Sequence, residues 1–316
     1  MCAVFGYLDY KGKVSNAILK KLIQNLSIAA EVRGTDATGI SYVNHGKVMT
    51  FKKAKPAHKI KLYFPRNTRT VIGHTRMTTQ GSEKYNHNNH PFNGRCGTET
   101  FSLAHNGVLY NDAELKTKYH LPKTQIETDS YVAVQLLEQE KQLHAESIKK
   151  MAELIEGSFV FTILRNDNTL FLVKGNNPLT LYHFPALGLY IYASTKSILN
   201  NALQKIHMMK NPCEIEISEG EILEIASNGK LSKTTFAMQN SVFSPYNWDN
   251  LNWYEAEEQE EFLLECCRMF GVSEEDVYLL LDYGFSADEI EEMLMNTNLL
   301  EDALAEIRML EQEDAE

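Results

Sequence analysis

Cys2 has the clearest chemical potential of any residue in this chain of 316 residues, because it directly follows Met1. If Met1 is removed, one residue carries both a thiol nucleophile and a free α-amine. A thiol titrates near about 8.5 and an α-amine near about 7.7 to 8.0, so the amine can accept a proton at neutral pH without a histidine. The apolar run at 3–8 is equally typical of a core strand, and Cys2 would then be a small buried cysteine at its start. Cys2 is therefore either a one-residue catalytic dyad or a structural cysteine.

Five further motifs supply the polar residues and glycines that an enzyme acting on a side-chain amide needs. They are RGTDATG at 33–39, GHTRMTTQG at 73–81, NHPF at 89–92, HNG at 105–107 and ETD at 127–129. Together with Cys2, they resemble the glutaminase domain of class II glutamine amidotransferases, which belong to the N-terminal-nucleophile hydrolases. Their order and spacing are most similar to those in the glutaminase half of glucosamine-6-phosphate synthase. Each motif is weak alone, but six in this order are specific.

Hydrolysis of a carboxamide requires a nucleophile, a base and a site for the oxyanion. The Cys2 sulfur would attack the side-chain amide carbon of glutamine while the Cys2 amine takes and later returns the proton. The side-chain N–H of Asn106 and the backbone N–H of Gly107 would bind the developing oxyanion, and Gly107 suits this role because it lacks a Cβ. Ammonia would leave, and water would then cleave the glutamyl thioester.

Recognition of a free amino acid requires two opposite charges at a distance from the amide. Arg76 can bind the α-carboxylate with its two-pronged guanidinium, and Asp129 can accept the α-ammonium. The alternative is that both residues form structural salt bridges. The resemblance implies the same two binding roles, and it implies that Arg33 lies beside the nucleophile and that Thr79 lines the glutamine pocket.

Neither a metal nor a cofactor is expected. His87 and His90 are three residues apart, but no carboxylate or cysteine lies near them in sequence to complete a metal site. The five cysteines form no CxxC pair, which disfavours both a zinc cage and a disulfide framework. We interpret His74, His87, His90 and His105 as structural residues.

The elements that must position these residues are mostly short strands. Eight runs have the branched and aromatic content of strands: 3–8, 39–43, 70–73, 101–104, 159–164, 169–173, 189–192 and 221–225. Amphipathic helices are predicted over 15–31 and 128–137. Many strands with few long helices indicate antiparallel sheets whose outer faces the helices cover. The resemblance implies an α+β fold, an αββα sandwich with Cys2 at the end of a strand.

The C-terminal segment differs from the rest in charge. Residues 254–316 hold 21 acidic and two basic residues, whereas the remainder holds 21 acidic and 29 basic residues. The pattern predicts a small three-helix bundle, with helices at 262–270, from about 276 and from about 298. The glycine turn at 283–285 and the apolar positions after it resemble a ubiquitin-associated domain. We expect three parts: a glutaminase domain at 2–238, an aromatic connector at 239–254 and this helical domain at 255–316.

The acidic segment either forms a solvated surface or docks on a basic partner. An acidic tail without an aromatic and basic RNA motif argues against nucleic-acid binding. No apolar run reaches the roughly 18 residues that span a bilayer, and no signal peptide precedes Cys2, so a cytoplasmic location is expected.

Three hypotheses follow for function. The first is a glutaminase that supplies ammonia from L-glutamine to an acceptor on a partner protein bound by residues 255–316, because the remaining chain is too short for an acceptor domain. The second is an N-terminal-nucleophile amidase acting on another γ-glutamyl-like substrate. The third is a non-enzymatic adaptor that uses the C-terminal helical module.

Overall fold

The chain divides into two compact units, Met1–Tyr246 and Asn247–Glu316. The computed structural model describes residues 2–204, 206, 208–239, 263–264, 267–268, 272–285, 290, 293–294, 299–300, 303–305 and 307–309. Apart from Gln239, the expected connector at 239–254 lies outside the described residues.

The described residues of the first unit form two antiparallel sheets. The strands are β1 (Ala3–Asp9), β2 (Ala37–Asn44), β3 (Lys47–Lys53), β4 (Thr70–Arg76), β5 (Phe92–Cys96), β6 (Glu99–Leu109), β7 (Gly157–Arg165), β8 (Leu170–Lys174), β9 (Thr180–Phe184), β10 (Leu189–Ala193), β11 (Cys213–Ile215), β12 (Glu221–Ile225) and β13 (Leu231–Thr235). One sheet has the order β11-β9-β10-β1-β4-β2-β3, and the other has the order β13-β12-β8-β7-β6-β5. All eight predicted strands are confirmed.

Among the described residues of the first unit, five helices cover the outer faces of the sheets. They are α1 (Asn16–Ala29), α2 (Asp112–Lys118), α3 (Tyr131–Glu138), α4 (Ala145–Leu154) and α5 (Lys196–Leu203). Apolar residues of α1 and α5 form one core with the first sheet, and those of α2, α3 and α4 form a second core with the other sheet. A third core, which includes Val4, Ile72 and Val160, fills the space between the sheets. The predicted αββα sandwich is therefore confirmed.

The predicted helix at 15–31 is confirmed as α1. The Ser15 hydroxyl accepts a hydrogen bond from the Ile18 N–H, which satisfies one of the free donors of the first turn. Leu19, Leu22, Ile23 and Leu26 form its buried face. A 3-10 turn at Ala30–Arg33 follows the helix and leads the chain back toward β1.

The predicted helix at 128–137 begins later than expected, at Tyr131. The Thr128 hydroxyl donates to the Asn88 carbonyl oxygen, and the Asp129 carboxylate accepts from the Leu109 N–H. The N–H groups of Tyr131 and Val132 donate to the Thr128 and Asp129 carbonyl oxygens three residues earlier, so these residues form a turn that precedes α3.

Within the second unit, α6 (Glu274–Asp282) begins close to its predicted start. The Ser273 hydroxyl caps it by accepting from the Asp276 N–H at 3.2 Å. Described apolar side chains, among them Leu263, Val277, Ile290 and Leu304, form one buried cluster. The expected helices at 262–270 and from 298 extend beyond the described residues, so the three-helix bundle and its likeness to a ubiquitin-associated domain stay predictions.

Candidate active site

Cys2 immediately precedes β1, a central strand of the first sheet that pairs with β10 and β4. Its neighbour Ala3 pairs with Thr75 on β4, which puts Cys2 beside the strand end that carries Arg76. The Cys2 Sγ donates to the Met77 carbonyl oxygen at 3.4 Å, and Arg33 Nε donates to the Cys2 carbonyl oxygen at 3.0 Å. The strand register thus brings three sequence-predicted residues together although 31 and 74 positions separate Arg33 and Arg76 from Cys2.

Burial and the surrounding charges together set the pKa of the Cys2 thiol. Burial of the sulfur raises the pKa of Cys2, and this effect outweighs the attraction of Arg76, while Asp129 raises the pKa further. The thiol is therefore protonated at neutral pH. Nucleophilic attack by this sulfur would require a base to remove the proton.

Arg76 is a buried cation whose partners are neutral oxygens. It is 2% exposed, and burial lowers its pKa. Its Nη1 donates to the Asn89 Oδ1 at 2.6 Å, and its Nη2 donates to the Gln80 and Gly81 carbonyl oxygens at 2.6 and 2.9 Å. Within the part of the chain that the structure describes, it forms no salt bridge. A buried charge without a counter-ion is costly, so the site favours an anionic ligand.

Asp129 has the complementary property, because it is 2% exposed and forms no salt bridge with the described residues. Its Oδ2 accepts from the Leu109 N–H at 2.7 Å, and its Oδ1 lies 3.2 Å from the Ser130 hydroxyl. That hydroxyl also lies 2.7 Å from Nδ1 of His105, whose Nε2 is 3.3 Å from the Ser158 carbonyl oxygen.

The protonation of His105 decides which acceptor receives the Ser130 proton. Burial lowers the pKa of His105, so its ring carries one proton at neutral pH. The Ser158 carbonyl can only accept, which assigns that proton to Nε2 and makes Nδ1 the acceptor of the Ser130 hydroxyl. The Ser130 hydroxyl lies within hydrogen-bond distance of Asp129 Oδ1, and because a carboxylate oxygen accepts more than one hydrogen bond, Oδ1 can still receive an ammonium group.

Asn106 and Gly107 lie on β6, in the second sheet. Asn106 is fully buried, and neither its Nδ2 nor its Oδ1 has a hydrogen-bond partner, whereas its carbonyl oxygen accepts from Asn177 Nδ2 at 2.9 Å. Gly107 has a φ of 141°, and a Cβ there would lie 1.9 Å from the Ser158 carbonyl oxygen. Only glycine fits at that position, and the free amide of Asn106 beside it is available for an oxyanion.

The remaining sequence-predicted residues divide into two groups. Arg33 contacts Cys2, as described above. Thr79 is exposed and forms no hydrogen bond with a described residue, so its place in a glutamine pocket stays a prediction. His74 agrees with the structural interpretation, since it donates from Nε2 to the His105 carbonyl oxygen and burial lowers its pKa to about 3, whereas both ring nitrogens of the buried His90 have no hydrogen-bond partner among the described residues. No cluster of metal-ligating side chains occurs in the described ranges.

Sequence reasoning missed the residues that support the two charges. Asn88 and Asn89 are fully buried and bind the segments that carry Asp129 and Arg76, and Lys52 Nζ donates to the carbonyl oxygens of Asn89 and Pro91. The NHPF motif included Asn89 without giving it a role. The two adjacent asparagines shortly before Pro91 were the sequence feature that could have indicated a buried polar turn.

Part of the chain is similar to known glutamine amidotransferases. Residues 74–201 match the family model described as a glutamine amidotransferase domain, a range that includes Arg76, Asn106, Gly107 and Asp129. The glutamine–fructose-6-phosphate aminotransferase of Bacillus subtilis is 33% identical over 188 residues, which are 57% of this chain and 30% of that protein. The enzyme of the same name from Geobacillus kaustophilus is 28% identical over 247 residues, 76% of this chain and 40% of that protein.

Among solved structures, the glutamine phosphoribosylpyrophosphate amidotransferase of B. subtilis has a TM-score of 0.59 and 20% identity. The match covers 75% of this chain and 50% of that one, and it supports the fold. This chain spans about 30% to 40% of the length of the curated relatives it matches. In the described residues, no helix is long and apolar enough to cross a membrane.

Proposed function

We propose that this chain is a glutamine amidotransferase that hydrolyses the side-chain amide of L-glutamine at Cys2 and releases ammonia for an acceptor. One observation carries the proposal: Arg76 and Asp129 are buried opposite charges, both act electrostatically on Cys2, and neither forms a salt bridge with a described residue. A free α-amino acid supplies the two missing counter-charges. The glutamine amidotransferase domain at residues 74–201 supports the same assignment.

Glutamine would bind with its α-carboxylate on Arg76 and its α-ammonium on Asp129. Nη2 of Arg76 donates both of its hydrogens to the Gln80 and Gly81 carbonyl oxygens, so the carboxylate would be attracted by the charge of the guanidinium and by its remaining N–H groups. With both charges held, the side-chain amide extends away from them toward Cys2. The contacts of Arg76 with neutral oxygens leave its positive charge uncompensated, and Asp129 keeps its negative charge without a salt bridge among the described residues.

The chemistry starts from a processed N-terminus at Cys2. The Cys2 amine removes the thiol proton while Sγ attacks the amide carbon, and the carbonyl oxygen becomes an oxyanion bound by Asn106 Nδ2 and the Gly107 N–H. The amine then returns the proton to the leaving nitrogen, so ammonia departs and a glutamyl thioester remains. Water, deprotonated by the same amine, cleaves the thioester and regenerates the thiol. The raised pKa of Cys2 makes this base necessary.

The destination of the ammonia forms a separate part of the proposal. The matched relatives are named for transfer to fructose 6-phosphate and to phosphoribosylpyrophosphate, and this chain covers half or less of each. We assign the acceptor site to a partner protein in the cytoplasm, bound through residues 255–316 as a domain like the ubiquitin-associated fold. The strong negative charge of that segment supports a protein partner over a nucleic acid.

Covalent labelling tests the hydrolytic part. A glutamine analogue with a diazoketone in place of the amide should label the wild-type protein once, at Cys2, as read by intact mass and peptide mapping. Cys2→Ala should abolish labelling and glutamate release, whereas Cys213→Ala, at an exposed cysteine, should change neither. Labelling that persists in Cys2→Ala would disprove the mechanism. Equal hydrolysis of amides without the α-charges would favour a different amidase, and glutamine binding without hydrolysis would favour an adaptor.

A further inference from the structure

Two adjacent asparagines connect the segments that carry the two unpaired charges. Asn88 and Asn89 are both fully buried, in the turn that leads into β5. Their backbone N–H groups bond to the carbonyl oxygens of Tyr85 and Asn86 at 2.9 and 3.3 Å, which fixes the turn itself. A buried polar side chain is retained at low cost only when its hydrogen bonds are made, so their partners indicate what they do.

Asn89 binds the guanidinium of Arg76. Its Oδ1 accepts from Arg76 Nη1 at 2.6 Å, its Nδ2 donates to the Glu83 carbonyl oxygen at 2.8 Å, and its own carbonyl oxygen accepts from Lys52 Nζ. The Gln80 and Gly81 carbonyl oxygens hold Nη2 of Arg76, and Asn89 holds Nη1, so Asn89 fixes the side of the guanidinium that the loop carbonyls leave free. Asn89 adds no charge, so the capacity of Arg76 to bind an anion is preserved.

Asn88 binds the residues that directly precede Asp129. Its Oδ1 accepts from the Glu127 N–H at 3.0 Å, and its Nδ2 donates to Glu127 Oε2 at 2.9 Å and to the Ser82 carbonyl oxygen at 3.1 Å. Its carbonyl oxygen accepts from the Thr128 hydroxyl at 2.8 Å. These contacts fix both residues that precede Asp129.

Asn88 and Asn89 are adjacent in the chain, so their two sets of contacts are linked through one peptide bond. Consecutive Cα atoms are about 3.8 Å apart across a rigid peptide, so one dipeptide links the residue that binds Arg76 to the residue that binds the turn before Asp129. We propose that Asn88 and Asn89 are positioning residues that fix the separation of Arg76 and Asp129 and so select substrates that carry both charges of a free α-amino acid. This inference rests on the proposed function, because it assumes that the two charges bind the substrate.

The position of a charge-binding group affects affinity steeply, and a loosened Arg76 or Asp129 loses the benefit of preorganisation. Each asparagine should therefore matter for only one end of the substrate. Loss of Asn89 should weaken recognition of the carboxylate, and loss of Asn88 should weaken recognition of the ammonium. A merely structural role would weaken both together.

Two truncated analogues of glutamine separate these ends. Glutaramic acid keeps the amide and the carboxylate but lacks the ammonium, and 4-aminobutanamide keeps the amide and the ammonium but lacks the carboxylate. Both are measured as competitive inhibitors of glutamine hydrolysis, so slow turnover does not matter. We expect Asn89→Ala to raise the Ki of glutaramic acid about tenfold and leave that of 4-aminobutanamide unchanged, and Asn88→Ala to do the reverse.

Two further variants keep the test decisive. Asn89→Asp preserves the size of the side chain but gives Arg76 a carboxylate partner, so it should raise the KM for glutamine more than Asn89→Ala does and leave the Ki of 4-aminobutanamide unchanged. Asn25→Ala removes an asparagine that bonds to the Ala202 carbonyl oxygen between α1 and α5, and it should alter neither Ki. Thermal unfolding establishes that each variant is folded.

The possible failures are distinct. Equal weakening of both analogues by each asparagine variant, or no weakening by either, would overturn the positioning role while glutamine hydrolysis by the wild type stands. If the wild type neither hydrolyses glutamine nor binds the analogues, the proposed function is wrong and the inference falls with it.

Discussion

Replacement of Asn106 by alanine separates catalysis from stability most sharply. The side-chain amide is fully buried, and neither of its polar atoms has a partner in the described structure, so it contributes no hydrogen bond to the folded state. A buried amide without partners costs roughly 1 to 3 kcal/mol of stability. Its removal relieves that cost and leaves only a small cavity. We therefore expect the free energy of unfolding of Asn106→Ala to equal or exceed that of the wild type.

The same substitution should greatly reduce turnover. Loss of one oxyanion donor typically raises the barrier by roughly 2.7 to 4 kcal/mol, which is about a hundredfold to a thousandfold in kcat. Because the donor acts on charge that develops only in the transition state, the KM for glutamine should change little. Steady-state glutamate release gives kcat and KM, and urea denaturation gives the stability. A fall in kcat of less than about tenfold in a folded variant, or an effect confined to KM, would refute the assignment.

Three other predictions concern recognition, pH and the C-terminal segment. Arg76→Ala and Asp129→Ala should each lower kcat/KM for glutamine by about tenfold to a hundredfold, since each removes a charge-assisted contact, and circular dichroism should show an intact fold. Burial lowers the pKa of His74 to about 3. Its contribution to stability is therefore fully present above its unfolded pKa of about 6.5 and is lost as the pH falls toward 3. His74→Gln should make the decline in unfolding free energy over that pH window less steep, and an unchanged slope would contradict this reasoning. A chain truncated after residue 240 should keep basal glutaminase activity and lose its stimulation by a partner, and loss of basal activity in a folded truncation would show that the C-terminal segment completes the site.

The sequence predicted the elements whose own pattern is strong. The central strands, such as β1, β7 and β10, are buried over nearly their whole length and appear as continuous apolar runs. Strands β3 and β13 escaped prediction because their residues are mostly partly or fully exposed, and β11 because it has only three residues. Pairing with a neighbouring strand specifies such edge strands, and a single run of residues contains little information about that pairing.

The identity of the chemical groups at the site was likewise readable from the sequence alone. Cys2, Asn106, Gly107, Arg76 and Asp129 stand in motifs whose residue types suit amide hydrolysis and amino-acid binding. Residue type fixes which charge, nucleophile or donor a position can offer, and it does so before the chain folds. The sequence therefore determined which groups are available and the class of chemistry they favour.

Only the tertiary structure decided how those groups are paired and oriented. It left the charges of Arg76 and Asp129 without counter-ions among the described residues, left the amide of Asn106 without partners, and gave Asn88 and Asn89 their supporting contacts. These properties depend on strands and turns that lie far apart in the chain and meet only when the two sheets pack. Hydrogen bonding and burial are properties of such neighbours, which is why sequence spacing could not supply them.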